Sequence, residues 1–406
     1  MVLAETLLRK DGELLLPEST ALTERHLDLF PLWHVRSAVV IVDDASPESG
    51  PLDGSEQPDE GLAAAARILQ PRFVHADLAE PAMEMLFTLA LPRAARILAG
   101  RGPAALALPG PVPPNLLPPY PDTPAPGPMA IIESEPKLTS LPDVFVRINE
   151  VLNDANSTAK EAADAIGMDT SLSATLLKLV NSAFYGFPVK VDTLSRAVTI
   201  VGNRQLTTLA LGISVLSIFK DLPEGLIGMR SFWKHSIACG IIASALAGPE
   251  TEMEVERLFV AGLLHDVGRL VLYRSLPRHA AHTLALARKE GILLREAERR
   301  MLGFDHATLA GMLLRRWRFP ENLEKAVRHH HGNLAYMAMP MPATVHAADA
   351  IANALGMGSS GEIYATPLSP TAWATIGLAL EHLDDIVATV DNQVEDIIKV
   401  FLPDEG

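Results

Sequence analysis

The residues best suited to chemistry lie in one short run, Gly262-Leu-Leu-His265-Asp266-Val-Gly-Arg269-Leu, where an adjacent His-Asp pair interrupts an apolar helical pattern. A buried imidazole beside a carboxylate is costly unless both groups are paired or hold a metal. Further candidate ligands accompany the pair: His235 upstream, and His306, His330, His331 and Asp349 downstream. Imidazole and carboxylate suit iron, manganese or zinc better than a thiolate-seeking ion. The seven side chains could hold one or two divalent ions, or be the remnant of a site that once did. The structural alternative is that His265 and Asp266 satisfy each other and nearby backbone, while His330 caps the end of its helix.

Other groups near these residues read as structural. Cys239 falls one helical turn after His235 and is expected to be a small buried hydrophobe that could approach the site. Arg315-Arg316-Trp317-Arg318 interleaves basic and aromatic residues, a pattern able to bind phosphate; it is read mainly as a helix end with Trp317 in the core. Arg295-Glu296-Ala-Glu298-Arg-Arg is read as a solvated helix face. His329 and His346 sit beside proposed ligands without joining them.

These residues need helices to position them. From Pro136 onward the apolar spacing is helical almost to the end, with Leu172, Leu176, Leu177 and Val180 on one side of a segment opening at Thr170. Asn156-Ser-Thr…Ile-Gly reads as a capped helix with a glycine stop. Asp221-Leu-Pro-Glu-Gly is a break, and Gly356–Pro367 a loop. Before Pro136 the pattern is mixed. Glu13–Thr20 signals strand and turn, a short helix with Thr23 as N-cap follows, Val35–Val42 is β-rich, and Asp43–Asp59 is an acidic loop. Helices are expected near Glu60–Leu69 and Pro81–Ala99. Gly102–Met129 carries repeated prolines and is expected to be an extended, semi-rigid linker.

The chain has 406 residues, so two or three units are expected. It is 48% hydrophobic, 5% aromatic and rich in alanine and leucine, which favours packed helices. A formal net charge of −15 argues against broad nucleic-acid binding. The single cysteine precludes an internal disulfide and agrees with a reducing, cytoplasmic setting. The first residues lack a signal-peptide pattern, and segments such as Leu209–Phe219 are too short to span a bilayer.

The run Ile166-Gly-Met168-Asp169-Thr-Ser-Leu172…Val-Asn181-Ser182-Ala-Phe-Tyr185-Gly, followed by Leu194-Ser-Arg-Ala197…Gly202, closely resembles the HDOD (HD-related output domain) family. The likeness begins near Leu138-Thr-Ser-Leu-Pro142, runs to about His331, and resumes at Val345-His-Ala-Ala-Asp349. Met168 departs from it by replacing the acidic residue of an Asp-Pro pair, with Asp169 shifted by one. The N-terminal run around Gly12–Val35 is more weakly similar to a small element that precedes some HDOD and HD-GYP domains.

The resemblance implies a mainly α fold, a helical bundle of the HD-phosphohydrolase type, preceded here by a small α+β region. The expected division is 1–100 for that region, 101–130 for the linker, 131–350 for the HDOD bundle and 351–406 for closing helices. It also implies a bacterial signalling output module that acts through protein partners, with a nucleotide as a further candidate ligand and neither nucleic acid nor membrane as a partner. Carried over position by position, HD-type metal ligands are His235, His265, Asp266 and Asp349, and HD-GYP enzymes add His306, His330 and His331. Asp266 is the catalytic candidate should the chain be a metal-dependent phosphohydrolase, and Arg269 the candidate phosphate contact. Asn181, Ser182 and Tyr185 mark the family surface, read mainly as a helix C-cap with Tyr185 packed back. Three departures argue against cyclic-dinucleotide hydrolysis. Ser231 stands where the enzymes have Glu, Arg269 where they have Lys, and Gly332-Asn-Leu-Ala-Tyr replaces their Gly-Tyr-Pro segment. A scaffold with a vestigial pocket is the third reading.

Overall fold

The structure, a computed structural model, describes residues 60–402 apart from 114, 116, 140, 155, 220–225 and 248–254, and before residue 60 only 2–3, 7–8, 14–16, 20, 22 and 39–41. The chain divides into two compact units, one of residues 1–70 with 91–107, the other of residues 71–90 with 108–406.

In the smaller unit, strands β1 (Val2–Leu3) and β4 (Val40–Ile41) pair antiparallel, as do β2 (Leu7–Leu8) and β3 (Leu14–Leu16). Among the described residues these ladders span only two or three residues, too few for a stable sheet layer, so the expected α+β region over the first hundred residues is not supported. The expected helix at Thr23, the acidic loop 43–59 and the break at 221–225 lie outside the described residues. Helices α1 (Glu60–Leu69) and α2 (Pro81–Arg101) fall where the sequence places them.

Among the described residues of the larger unit, the regular elements are all helices. Short α3 (Pro128–Ser134) and α4 (Pro136–Thr139) lead into α5 (Asp143–Asn153), α6 (Ala159–Gly167), α7 (Thr170–Val180), α8 (Leu194–Val201) and α9 (Asn203–Ile218). The long buried α10 (Met229–Leu246) is followed by α11 (Val255–Leu264), α12 (Val267–Ser275), α13 (Pro277–Glu290), α14 (Leu294–Leu302), α15 (His306–Arg316) and α16 (Glu321–His329). Then come α17 (Leu334–Met337), α18 (Pro340–Ala354), α19 (Pro370–Ile376) and α20 (His382–Phe401).

Local sequence sets these boundaries. Thr158 and Glu161 form a reciprocal capping box at the start of α6, and the Asp169 carboxylate accepts from the amides of Ser171 and Leu172 to open α7. Each such cap contributes about 1 kcal/mol. α10 buries nearly its whole circumference, as a helix apolar on all sides must. It packs against α11, α18 and α20, while α15 packs on α12 and α16. The proline-rich segment lies along α13, where His279 and His282 meet the carbonyls of Thr123 (3.1 Å) and Pro118 (3.0 Å). Among the described residues, no helix is long and apolar enough to cross a membrane.

Candidate metal centre

The His265-Asp266 pair does not sit inside a helix. It occupies the tight turn between α11 and α12. Gly268, two residues on, allows the close approach this turn requires. A Cβ there would lie 2.1 Å from the His306 carbonyl oxygen and 3.0 Å from the Ala310 nitrogen. Backbone contact between α12 and α15 thus brings the pair beside His306, the first residue of α15. His235 projects from α10, His330 is the C-cap of α16 with His331 next to it, and Asp349 lies in α18. All seven predicted ligands converge.

Two sets of donors meet at Asp266. On one side, His235 Nε2 lies 3.2 Å from Asp349 Oδ1, and His265 Nε2 lies 3.2 Å from Asp266 Oδ2 and 3.6 Å from Asp349 Oδ1. On the other, His306 Nε2 lies 2.9 Å from Asp266 Oδ1, and its ring neighbours those of His330 and His331, 5.5 and 5.2 Å away between centroids. His331 Nε2 reaches to 3.9 Å from Asp349 Oδ2.

The tautomers follow from the outer partners. His265 Nδ1 donates to the Gly262 carbonyl (2.7 Å), His330 Nδ1 to the Val327 carbonyl (2.6 Å), and His306 Nδ1 to Glu298 Oε2 (2.6 Å). A carbonyl or carboxylate only accepts, so each Nδ1 carries a proton and each Nε2 is turned inward, where it can serve an ion once any proton on it has left. All three Nε2 atoms are buried: those of His265 and His306 face the Asp266 carboxylate, and that of His330 has no hydrogen-bond partner among the described residues. An outward N–H bond with the other ring nitrogen aimed inward is how metal-binding histidines are held, so the residues fit a metal. His346 differs: it donates to the His330 carbonyl (2.8 Å) and accepts from the Ser369 amide (2.9 Å), leaving neither nitrogen for an ion. His329 stacks on Tyr336, centroids 3.5 Å apart.

The electrostatics are those of a buried, charge-dense cluster. Burial opposes protonation of His265, yet Asp266 and Asp349 outweigh it and raise its pKa to about 10. For His306, burial and then Arg269 oppose the charge, but Glu298 and Asp266 still lift it to about 9. Burial, with His265 and His306 adding to it, pushes His330 down to about 3. Asp266 lies well below the usual carboxylate range: burial works against this, but Arg269 and His265 prevail.

Glu298 and Arg269 take roles other than those expected. Glu298 is no solvated surface group. It is 2% exposed and accepts from the His306 amide and imidazole and from Arg269 Nε. Arg269 is fully engaged at the edge of the centre, donating to Asp266 Oδ2 (2.9 Å), Glu298 Oε1 (3.0 Å) and the Ser360 hydroxyl. Cys239 is buried and approaches the centre, both as the sequence allows, with Sγ 3.7 Å from His235 Nε2; burial and the charges of Asp349 and Asp266 keep it a thiol.

The remaining candidates lie elsewhere. Asn181 caps α7, bonding both to the Leu177 carbonyl and, in a two-way pair, to the Val191 backbone; Ser182 bonds to the Leu179 carbonyl, and Tyr185 donates to Glu256 (3.1 Å). That is the expected cap with Tyr185 packed back. Trp317 is buried, donating to the Leu138 carbonyl, while Arg315, Arg316 and Arg318 are exposed.

The HDOD domain family matches this chain over residues 138–333. A curated relative, an uncharacterized protein of Treponema pallidum (strain Nichols), is 24% identical over 195 residues, 48% of this chain; the chain covers only 37% of that protein. Among solved structures, an HDOD domain protein with unknown function from Geobacter sulfurreducens is 25% identical, with a TM-score of 0.55 over 68% of this chain and 95% of that one. A protein from Shewanella amazonensis SB2B, named as a candidate phosphohydrolase, is 23% identical, with a TM-score of 0.53 over 68% and 97% of the two chains. One from Marinobacter aquaeolei VT8, named as a candidate signal transduction protein, is 20% identical, with a TM-score of 0.50 over 64% and 59%. The last two share the fold.

Proposed function

We propose, from the premise that residues 138–333 are an HDOD domain, that this chain is a signalling output module built around a buried metal centre and acting through protein partners in the cytoplasm. What carries this is that His265, His306 and His330 all aim Nε2 into one buried cluster, each ring fixed by an outward Nδ1–H bond. Nitrogen and oxygen donors suit iron, manganese or zinc. Two donor sets sharing Asp266 would suit two ions, with His235, His265 and Asp349 on one side and His306, His330 and His331 on the other. Bound there, such ions would tie together α10, the α11–α12 turn, α15, α16 and α18, so that loading would report on the packing of the bundle.

A second reading, a metal-dependent phosphohydrolase, draws support from that same placement of Asp266, since paired ions can activate water for attack on phosphorus. Against it, Arg269 is held by two carboxylates instead of facing outward, and His235, His265, His306 and His330 are 0% exposed. We expect the protein, loaded with manganese or iron, to hydrolyse bis(4-nitrophenyl) phosphate and cyclic dinucleotides no faster than free metal does. Turnover that vanishes in Asp266→Ala would establish the hydrolase instead.

A further inference from the structure

A cavity of about 330 Å³ lies beside the proposed centre, lined in part by Arg72, Arg288, Ser231, Asn353, Ser359 and Glu362. Asn353 joins the two, since its side-chain amide donates to Asp349 Oδ1 (2.7 Å).

The two arginines set the chemistry. The Nε of each is buried without a hydrogen-bond partner, and among the described residues neither side chain pairs with a carboxylate. The loop opposite is shaped around Arg72: Gly356 takes φ +64°, and a Cβ there would stand 2.5 Å from Arg72 Nη1. Glu362 also lines the cavity but forms no ion pair with either arginine among the described residues; its carboxylate accepts from the amides of Leu294 (2.8 Å), Ile363 (2.9 Å) and Tyr364 (3.1 Å). Two partly buried guanidinium groups without a counter-anion are unfavourable, and their planar forks suit phosphoryl oxygens. Leu108, Pro109, Leu226 and Ile227 add apolar surface to the same lining. The volume falls within the range of small-molecule sites and far exceeds a lone phosphate.

We propose that this cavity binds a nucleotide, with its phosphate between Arg72 and Arg288 and its base against Leu108, Pro109 and Ile227. The site stands on its own residues and does not depend on metal at the histidine centre.

Titration calorimetry of the full chain with AMP and GMP tests it, with adenosine and inorganic phosphate as the two half-ligands. At least one nucleotide should bind, and each half-ligand should bind at least about tenfold more weakly. Arg288→Gln should weaken nucleotide binding about tenfold or more, the loss expected for one charged hydrogen-bonding partner, while leaving metal content and melting temperature unchanged. Arg72→Gln should do the same to binding, and Arg288→Gln, being half-buried, keeps the test valid should Arg72→Gln fail to fold. The proposal fails if neither nucleotide binds at millimolar concentration, if phosphate alone binds as tightly as the nucleotides, or if Arg288→Gln binds as wild type does. Binding in a protein that takes up no metal would support the cavity and refute the centre, so the two claims fall separately.

Discussion

Asp266→Ala is expected to abolish metal binding and to lower stability by about 3–5 kcal/mol, the cost of breaking a buried ion pair. The carboxylate faces both donor sets, with one oxygen 2.9 Å from His306 Nε2 and the other 3.2 Å from His265 Nε2. It also neutralises Arg269, which is 3% exposed and would be left with Glu298 and the Ser360 hydroxyl. Chemical denaturation and metal analysis of the same preparation check both parts. A variant that melts as wild type does and keeps its metal would show that Asp266 is an incidental neighbour.

Gly268→Ala should be nearly as damaging although it changes no ligand. The added methyl would stand 2.1 Å from the His306 carbonyl oxygen and 2.9 Å from its carbon, both backbone atoms that cannot rotate away. α12 and α15 would have to part, at a cost of about 3 kcal/mol or more. That movement would draw His306 from Asp266, so metal occupancy should fall together with the melting temperature. Unchanged values for both would mean that the close approach of the two helices is not needed to assemble the centre.

These expectations differ in how far the sequence alone supports them. The ligands stand out because histidine and aspartate are rare in apolar helical surroundings, and the family likeness supplies the correspondence between positions 235 and 349. Helix starts at Thr158 and Asp169 are legible because capping is a local, side-chain-to-amide matter. Glu298 is harder to see, lying within a run of charges. The signal for it is spacing: it falls four residues from both Leu294 and Leu302, on the buried face of α14. Arg72 and Arg288 carry no such signal, since only tertiary packing brings positions so far apart in the chain to one cavity. The first hundred residues mislead for a related reason. Short apolar runs give strand propensity, but a ladder of two or three residues has too few cross-strand pairs to stand as a domain.

Whether the seven side chains hold metal is decided by the metal content of protein purified without chelator, followed by titration of chelator-treated protein with iron, manganese or zinc. Protons compete for these sites. His265 and His306 bind them more strongly than free histidine does, so uptake at neutral pH should release protons, and affinity should rise as the pH is raised towards 9. One or two ions per chain are expected, lost in His265→Ala. Protein that carries no metal, takes up none on titration and melts at the same temperature after His265→Ala would contradict that expectation.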